Sequence, residues 1–178
     1  SGLGGGSSDA AFTLKALNQL FDLGVSSSRL KEMAIELGSD CPFFIDNHPA
    51  LVWEKGNRME ALTLELKHQH LAVVIPHVHI STREAYQKIT PHPRSQSLKE
   101  RLMKTPPDQW HQHITNDFEP GVFEKKPELQ KIKNTLYQKG AWFASLSGSG
   151  SSLFGLFNQP PNVKAYFPES FVWEVKIH

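Results

Sequence analysis

The chain has 178 residues, of which 39% are hydrophobic and 21% are charged, and this composition is that of a globular protein of ordinary domain size. Its formal net charge of +1 gives no reason to expect nucleic acid or a charged membrane surface as a partner, and no apolar run approaches the roughly 18 residues that a membrane span needs. The single cysteine, Cys41, excludes an intramolecular disulfide framework, so we expect a cytoplasmic protein.

The sequence begins with a glycine-rich segment, SGLGGGSSDAA, that continues directly into a helical pattern. We expect the helix to start near Ser8, with Ser7, Ser8 or Asp9 as its N-cap, and to end before Gly24. Its apolar face is predicted to contain Ala10, Ala11, Leu14, Leu17, Leu20 and Phe21. A glycine loop before a helix leaves several N–H donors directed at one point, which favours a phosphate site. A flexible linker before a capped helix is the alternative.

A second helix is predicted from about Ser28 to Leu37, where Gly38 ends it. The segment GSDCPFFI follows, and its apolar half is interpreted as the start of a strand. Asp40 therefore lies between a helix end and a strand, a place where aspartate often only forms a turn. The alternative is a rigidly held carboxylate that orients or deprotonates a hydroxyl group. The residues alone leave both interpretations open.

The middle of the chain is predicted to contain strands followed by a short helix. The strands span 50–53, 59–64 and 71–75, with a turn at 55–57, and the helix runs from a cap at Ser81 or Thr82 to Ile89. Residues 90–109 contain four prolines and are expected to form a loop with a helical piece near 98–103. Alternating histidines at 68, 70, 77 and 79 favour polar strand faces over a metal site, because no third ligand accompanies either pair.

The last part of the chain is predicted to form helices near 116–123 and 127–138, followed by strands near 142–145, 153–157 and 171–177. Between the first two of these strands, the segment ASLSGSGSSLFGLF contains Gly148 and Gly150. A tight hairpin turn explains these glycines, and so does a second set of backbone donors for phosphate. Separated helices and hairpins together predict an α+β fold.

Three segments, SGLGGGSSDAA, GSDCPFFI and SLSGSGSSLFGLF, together resemble the GHMP kinase family. SGLGGGSSDAA is similar to the phosphate loop of the family, and SLSGSGSSLFGLF is similar to its C-terminal glycine loop. GSDCPFFI, PHVHISTREAY and NDFEP resemble the branch that acts on 4-diphosphocytidyl-2-C-methyl-D-erythritol. The motifs occur in the order and spacing of the family. The resemblance implies a GHMP kinase fold in which residues 1–65 are the remainder of a ribosomal protein S5 domain 2-like, ATP-binding N-terminal part. Residues 66–178 would form a ferredoxin-like C-terminal part.

The resemblance also implies an activity, namely ATP-dependent phosphorylation of the 2-hydroxyl of 4-diphosphocytidyl-2-C-methyl-D-erythritol in non-mevalonate isoprenoid precursor synthesis. Asp40 would be the catalytic carboxylate, and Ser8 would help to hold Mg²⁺. Tyr86 would stack on the cytosine of this small-molecule substrate, with Thr82 nearby. The ATP phosphates would bind Gly2, Leu3, Gly4, Gly5, Gly6, Ser7 and Ser8. Gly148, Ser149 and Gly150 would border the substrate and the phosphates.

One departure from the family concerns the start of the chain. Family members have a long segment before the phosphate loop, which supplies the first strands, a catalytic lysine and much of the nucleotide site. We therefore expect a fragment that is inactive by itself, with an exposed sheet edge that favours a homodimer or other self-association. The alternatives are another GHMP kinase with a different small alcohol as substrate, and a non-catalytic protein that binds nucleotide weakly or only associates with itself.

Overall fold

The computed structural model describes residues 2–54, 56, 58–87, 89 and 97–178. The chain folds into two compact units, of which the N-terminal unit is Gly4–Glu65 and the C-terminal unit is Leu66–His178 together with Ser1–Leu3. Both units combine helices with antiparallel strands, which confirms the predicted α+β class. Within the described part of the chain, no helix is long and apolar enough to cross a membrane.

The N-terminal unit contains three helices, which are α1 (Gly5–Leu20), α2 (Ser27–Leu37) and α3 (Cys41–Asp46). The first two are the predicted helices, although α1 begins earlier than expected. The third helix takes the place of the expected strand, so that expectation was wrong. Pro42 stands in the first turn of α3, where its missing N–H costs no hydrogen bond, and helical spacing buries both Cys41 and Ile45.

A small core joins these helices and buries Ala11, Leu30, Ala34, Cys41 and Ile45. The predicted apolar face of α1 is only partly covered. Ala10 and Leu14 pack against the core. Further along the helix, Leu17, Leu20 and Phe21 are 43%, 75% and 63% exposed. Because the core lies against the first half of α1, helical periodicity overestimates the buried face of this helix.

An antiparallel hairpin completes the N-terminal unit, and its strands are β1 (Ala50–Trp53) and β2 (Arg58–Ala61). The second strand ends earlier than the predicted residue 64. Lys55 and Asn57 of the predicted turn lie outside the described residues. Gly56 is buried with a φ of +91°, and a Cβ at this position would lie 2.5 Å from the carbonyl oxygen of Ser39. Only glycine permits this approach, which places the hairpin against the turn that precedes Asp40.

The C-terminal unit is built on a four-stranded antiparallel sheet. Its strands are β3 (His70–Pro76), β4 (Phe143–Leu146), β5 (Leu153–Phe157) and β6 (Ser170–Lys176). They follow the order β4-β5-β3-β6, which is the strand order of a ferredoxin-like sheet. The apolar run LAVVI forms most of β3, and this strand pairs with both β5 and β6. Its central position explains why Ala72, Val73 and Val74 are all buried.

Among the residues of this unit that the structure describes, the α-helices are α4 (Thr82–Tyr86), α5 (Leu98–Lys104), α6 (Trp110–His113), α7 (Glu119–Lys125) and α8 (Pro127–Gln138). Helix α8 follows its prediction and inserts Leu129 and Leu136 into the main core, where neither is exposed. The helix α4 is shorter than predicted and α6 was not predicted. Residues 90–96 of the predicted loop lie outside the described residues. The helix expected from 116 begins at Glu119, because an Asn116–Phe118 turn precedes it.

Candidate functional site

The N-terminus of α1 has free backbone donors and no side-chain cap. Gly4 is the N-cap, in the left-handed conformation, and its carbonyl accepts the N–H of Ser8 at 2.9 Å. Among the described residues, no acceptor receives the N–H groups of Gly5, Gly6 and Ser7. The expected serine or aspartate cap is therefore wrong, because the helix extends back into the glycine segment. Three N–H groups at the positive end of a 16-residue helix form an anion-binding geometry.

The glycines of this segment differ in whether the surrounding structure requires glycine at their positions. Gly4 has a φ of +65°, and a Cβ there would lie 3.0 Å from the Phe44 ring. A Cβ on Gly5 or Gly6 would meet no atom within 4 Å, and both residues are helical. Glycine in a helix costs roughly 0.5–1 kcal/mol relative to alanine. Packing thus explains Gly4 but not Gly5 and Gly6, which leave open space over the helix N-terminus.

Asp40 is an exposed carboxylate on a firmly held turn. It precedes α3 directly but makes no capping bond to that helix. Its Oδ1 accepts the Ser39 hydroxyl at 3.4 Å. The backbone around it is fixed, because Cys41 N donates to the Gly38 carbonyl at 3.1 Å and Gly56 closes against Ser39. An aspartate that only formed a turn would use its side chain to bind the backbone. This geometry favours the interpretation as a presented carboxylate.

A second group of backbone donors lies in the C-terminal unit, in the loop of residues 147–152 between β4 and β5. Backbone bonds from Ser147 N to Ser152 O and from Gly150 N to Ser147 O, both of 2.9 Å, help to close the loop. At its tip, the N–H groups of Gly148 and Ser149 donate to no acceptor within the described residues. The loop therefore offers two neighbouring donors from β-hairpin backbone, as a phosphate site requires.

Gly2 contacts the loop of residues 147–152, which belongs to the same C-terminal unit. The Ser147 hydroxyl donates to the Gly2 carbonyl oxygen at 2.6 Å. Gly2 has a φ of +85°, and a Cβ there would lie 2.6 Å from the Ser147 carbonyl oxygen and 2.9 Å from that of Gly150. Any side chain would prevent this contact. Gly2, at the start of the first glycine segment, therefore packs against the loop of residues 147–152 within the C-terminal unit.

Thr82 and Tyr86 lie on α4. A capping box begins this helix, with the Ser81 hydroxyl accepting from Glu84 N at 3.1 Å and the Glu84 carboxylate accepting from Ser81 N at 3.2 Å. Donation by Ser81, from its hydroxyl and then its backbone, lowers the pKa of the Glu84 carboxyl below its ordinary value. Thr82 is exposed, and the Tyr86 ring is 62% exposed. The edge-to-face contact of Tyr86 with Phe118 has a centroid distance of 5.0 Å. This geometry leaves much of the tyrosine ring available for stacking.

The structure thus distributes the predicted site residues over both units. The N-terminal unit holds Gly4–Ser8 and Asp40, and the C-terminal unit holds Gly2, Leu3, Thr82, Tyr86 and Gly148–Gly150. Sequence reasoning assigned no role to Asn116, although the motif NDFEP had marked its surroundings. In the described part of the chain, no cluster of three or more histidine, cysteine, aspartate or glutamate side chains could hold a metal ion.

Comparisons with known proteins give matches to two family models and to named kinases. The family model for the GHMP kinases N terminal domain matches residues 1–49, and the model for GHMP kinases C terminal matches residues 98–172. A 4-diphosphocytidyl-2-C-methyl-D-erythritol kinase of Parabacteroides distasonis is 45% identical over 176 residues. Its counterpart in Bacteroides thetaiotaomicron is 47% identical over 157 residues, which cover 88% of this chain and 57% of that protein.

Solved structures show the same relationship. A crystal structure of 4-(cytidine 5′-diphospho)-2C-methyl-D-erythritol kinase matches 98% of this chain with a TM-score of 0.79 and 30% identity. A homoserine kinase from Cytophaga hutchinsonii has a TM-score of 0.71 at 19% identity, which shows a shared fold alone. The chain covers 65% of the length of the Parabacteroides distasonis protein and 65% of the first of these structures. With both family models matched in order and relatives similar along nearly all of its length, the chain belongs to the GHMP kinase family.

Proposed function

We propose that this chain carries the phosphate-binding loops and the catalytic carboxylate of a kinase. The reaction transfers the γ-phosphoryl group of ATP to the 2-hydroxyl of 4-diphosphocytidyl-2-C-methyl-D-erythritol, in cytoplasmic isoprenoid precursor synthesis. The observation that carries the proposal is the uncapped N-terminus of α1, where Gly5 and Gly6 leave their N–H groups and the space above them open. The names of the similar kinases support the choice of substrate.

The phosphates of ATP bind along residues 2–8 in this proposal, which assigns residues 1–65 to the ATP-binding part and 66–178 to the C-terminal domain. Phosphoryl transfer depends on positioning and on neutralising charge more than on covalent chemistry by the protein. The helix N-terminus supplies fixed N–H dipoles that need no rearrangement when negative charge develops on the transferred group. The seat of Gly2 on the Ser147 hydroxyl holds the beginning of this loop in place.

Asp40 orients the substrate hydroxyl or accepts its proton. Its carboxylate is exposed, makes no bond to the helix that follows, and stands on a backbone held by Gly38 and Gly56. A general base must meet two conditions. It must lie within hydrogen-bond reach of the proton that it abstracts, and its oxygen atoms must not be taken up by strong hydrogen bonds to other protein groups. Asp40 meets the second condition, since its Oδ1 accepts only a 3.4 Å bond from the neighbouring Ser39 hydroxyl among the described residues.

The C-terminal unit binds the substrate in this proposal. The exposed ring of Tyr86 stacks on the cytosine, with Thr82 beside it on the same helix. Such stacking is sequence-tolerant and is worth roughly 1–3 kcal/mol for a base on an aromatic ring. The loop Gly148–Gly150 borders the substrate and the phosphates with its two available N–H donors.

Mg²⁺ accompanies ATP in this proposal. Magnesium takes oxygen ligands and usually keeps several waters besides one or two protein ligands and the substrate phosphates. The hydroxyl of Ser8, near the start of α1, and the carboxylate of Asp40 are oxygen donors of this kind in the same unit. The chemistry of these two side chains suits the ion, which when bound would neutralise charge on the phosphates.

A chimaeric kinase tests the proposal. This chain replaces the matching segment of the Parabacteroides distasonis kinase, and ADP release from Mg-ATP is measured with and without 4-diphosphocytidyl-2-C-methyl-D-erythritol. We expect substrate-dependent turnover. Asp40→Asn should lower kcat by about 100-fold or more with little change in ATP affinity. The control is Asp46→Asn at the other end of α3, where Lys31 and Ser27 bind the carboxylate.

Each part of the proposal has its own contradicting outcome. Full activity of Asp40→Asn would remove the catalytic role of this residue. Turnover with another small alcohol but not with the cytidyl substrate would overturn the assigned substrate. The isolated 178-residue chain is assayed beside the chimaera, and substrate-dependent turnover by this chain would contradict the expectation that it is inactive by itself.

A further inference from the structure

The segment Asn116–Glu119, NDFE, is a motif that the proposed function leaves without a role. It connects α6 to α7 in the C-terminal unit, and none of its side chains belongs to the proposed binding residues. Three of its side chains nevertheless contact the surroundings of the substrate loop. They reach the loop itself, the end of the strand that precedes it, and the ring of Tyr86.

Asn116 donates hydrogen bonds to two backbone carbonyl groups, one at the end of β4 and one in the loop of residues 147–152. Its Nδ2 donates to the carbonyl oxygens of Leu146 at 2.9 Å and Gly148 at 2.8 Å. Its Oδ1 accepts the N–H of Phe118 at 2.9 Å, which closes an Asx turn and fixes the orientation of the amide. Both donors and the acceptor of one side chain are therefore used, two of them across 30 and 32 residues of sequence.

The bond to Gly148 determines where the next N–H group points. The carbonyl of Gly148 and the N–H of Ser149 belong to one peptide unit, which is planar and trans. In a trans peptide the N–H is directed opposite to the carbonyl. Because Asn116 binds the carbonyl on one side of the loop, the N–H of Ser149 is directed to the other side. That N–H donates to no acceptor in the part of the chain that the structure describes.

Glu119 anchors the same segment to the strand that leads into the loop. Its Oε1 accepts from the Ser145 hydroxyl at 3.1 Å and from Leu146 N at 2.9 Å, and its Oε2 accepts from Lys133 Nζ at 2.6 Å. Glu119 is 8% exposed, so its charge depends on these partners. Asn116 is thereby held at a fixed distance from the loop. Phe118, between the two, supports the Tyr86 ring edge-on.

We infer that Asn116 is a positioning residue that aims the Ser149 N–H at a phosphate oxygen of the bound ligands. Asn116 acts through the Gly148–Ser149 peptide and does not itself touch the substrate. The inference rests on the proposed function, because it assumes that the loop meets phosphate. Two ligands can supply that oxygen, the ATP and the diphosphate of the cytidyl substrate, and each is tested as a separate probe.

Amide NMR of the 178-residue chain tests this role without requiring turnover. The backbone amide of Ser149 is followed while Mg-ATP or 4-diphosphocytidyl-2-C-methyl-D-erythritol is added. Asn116→Asp keeps the acceptor for Phe118 but replaces the two N–H donors by an acceptor. Asn162→Asp is the matched control, since its amide donates to the Pro160 carbonyl on the exposed surface of the same unit. Asn116→Ala removes the same donors without adding charge and serves if the first variant does not fold.

The expected result is a ligand-dependent shift of the Ser149 amide in the unmodified chain and in Asn162→Asp. In the Asn116 variants we expect that shift to be lost and the affinity for the same probe to fall about tenfold or more. Equal shifts and affinities in the Asn116 variants would overturn the inference and leave the proposed function intact. Ligand-dependent shifts of the Gly5 and Gly6 amides without a shift of the Ser149 amide would also overturn the inference and leave the proposed function intact. No shift at any of these amides with either probe would overturn the proposed function and this inference together.

Discussion

Single glycines in the first loop serve different purposes. Gly2 and Gly4 are required by the protein itself, because each has a positive φ and contacts a neighbour that a Cβ would displace. Gly5 and Gly6 have helical conformations and no neighbour within 4 Å of a Cβ. Residues that weaken a helix without serving its packing are candidates for binding a ligand. The fold therefore requires Gly2 and Gly4, whereas Gly5 and Gly6 are the candidates for contact with a ligand.

Gly6→Ala tests that contrast. Alanine should raise the free energy of unfolding by up to about 1 kcal/mol, because it reduces the conformational entropy of the unfolded chain and clashes with nothing. The same methyl group should weaken Mg-ATP binding. Denaturant unfolding and nucleotide titration measure the two effects. Gly4→Ala is the comparison and should lower stability, because of its φ and the Phe44 ring. A Gly6→Ala chain that binds Mg-ATP normally would contradict a phosphate at this position.

At the scale of elements, helix α4 depends on its capping box. The Glu84 carboxylate accepts from Ser81, and this lowers the pKa of the carboxyl from its ordinary value of 4.5. A carboxyl whose pKa is lower in the folded state stabilises that state above the unfolded pKa. The contribution is lost as the pH falls through the lower, folded-state pKa. The helix that carries Thr82 and Tyr86 should therefore loosen at its N-terminus in acid.

An acid titration followed by amide hydrogen exchange checks this expectation. Protection of the first turn of α4 should decrease below about pH 4.5, the ordinary value of the Glu84 carboxyl. Glu84→Gln should start with weaker protection and show a flatter dependence on pH, because glutamine cannot ionise. Helix α5 provides an internal comparison, since Ser97 and Glu100 form the same capping box and the pKa of Glu100 is also lowered. Unchanged protection of α4 through the titration would remove the role of this cap.

At the scale of the whole molecule, the N-terminal unit exposes large apolar side chains on and after α1. Leu20, Phe21 and Leu23 are 75%, 63% and 58% exposed. Exposed large apolar side chains at neighbouring sequence positions favour association in water. Self-association of the isolated chain stays a prediction, and these side chains at and after the end of α1 add a second surface for it beside the expected sheet edge.

Sedimentation at several protein concentrations measures that association. Leu20→Lys together with Phe21→Lys should shift the equilibrium towards the monomer, because the two charges would have to be buried in the contact. Tyr166→Lys is the control, since Tyr166 is 51% exposed in the C-terminal unit, away from α1 in the sequence. A sedimentation coefficient that is independent of concentration in the unmodified chain would contradict the prediction.

Local patterns were sufficient for much of the fold. Helices α1, α2 and α8 have apolar residues at helical spacing and a glycine after the last turn, so their type could be predicted from a short window. The apolar run of β3 likewise predicted a buried strand, and the structure places it inside the sheet between β5 and β6. The predicted strand after Asp40 was wrong because a short apolar segment suits a strand or a buried helix equally. The segment forms a helix, in which Pro42 occupies the first turn and both Cys41 and Ile45 are buried on one face.

The α+β class, the glycine segments and the family follow from residue types and patterns within short segments of the sequence. Asp40 is singled out by its neighbours in the same way, although those neighbours suit a turn equally well. Tertiary structure decided how these parts are held. The bond from Ser147 to Gly2 joins residues 145 apart, and that from Asn116 to Gly148 joins residues 32 apart. Gly56 fits against Ser39 only once both turns are formed. Such contacts depend on where distant backbone groups meet in the folded chain, and no periodicity within one segment carries that information.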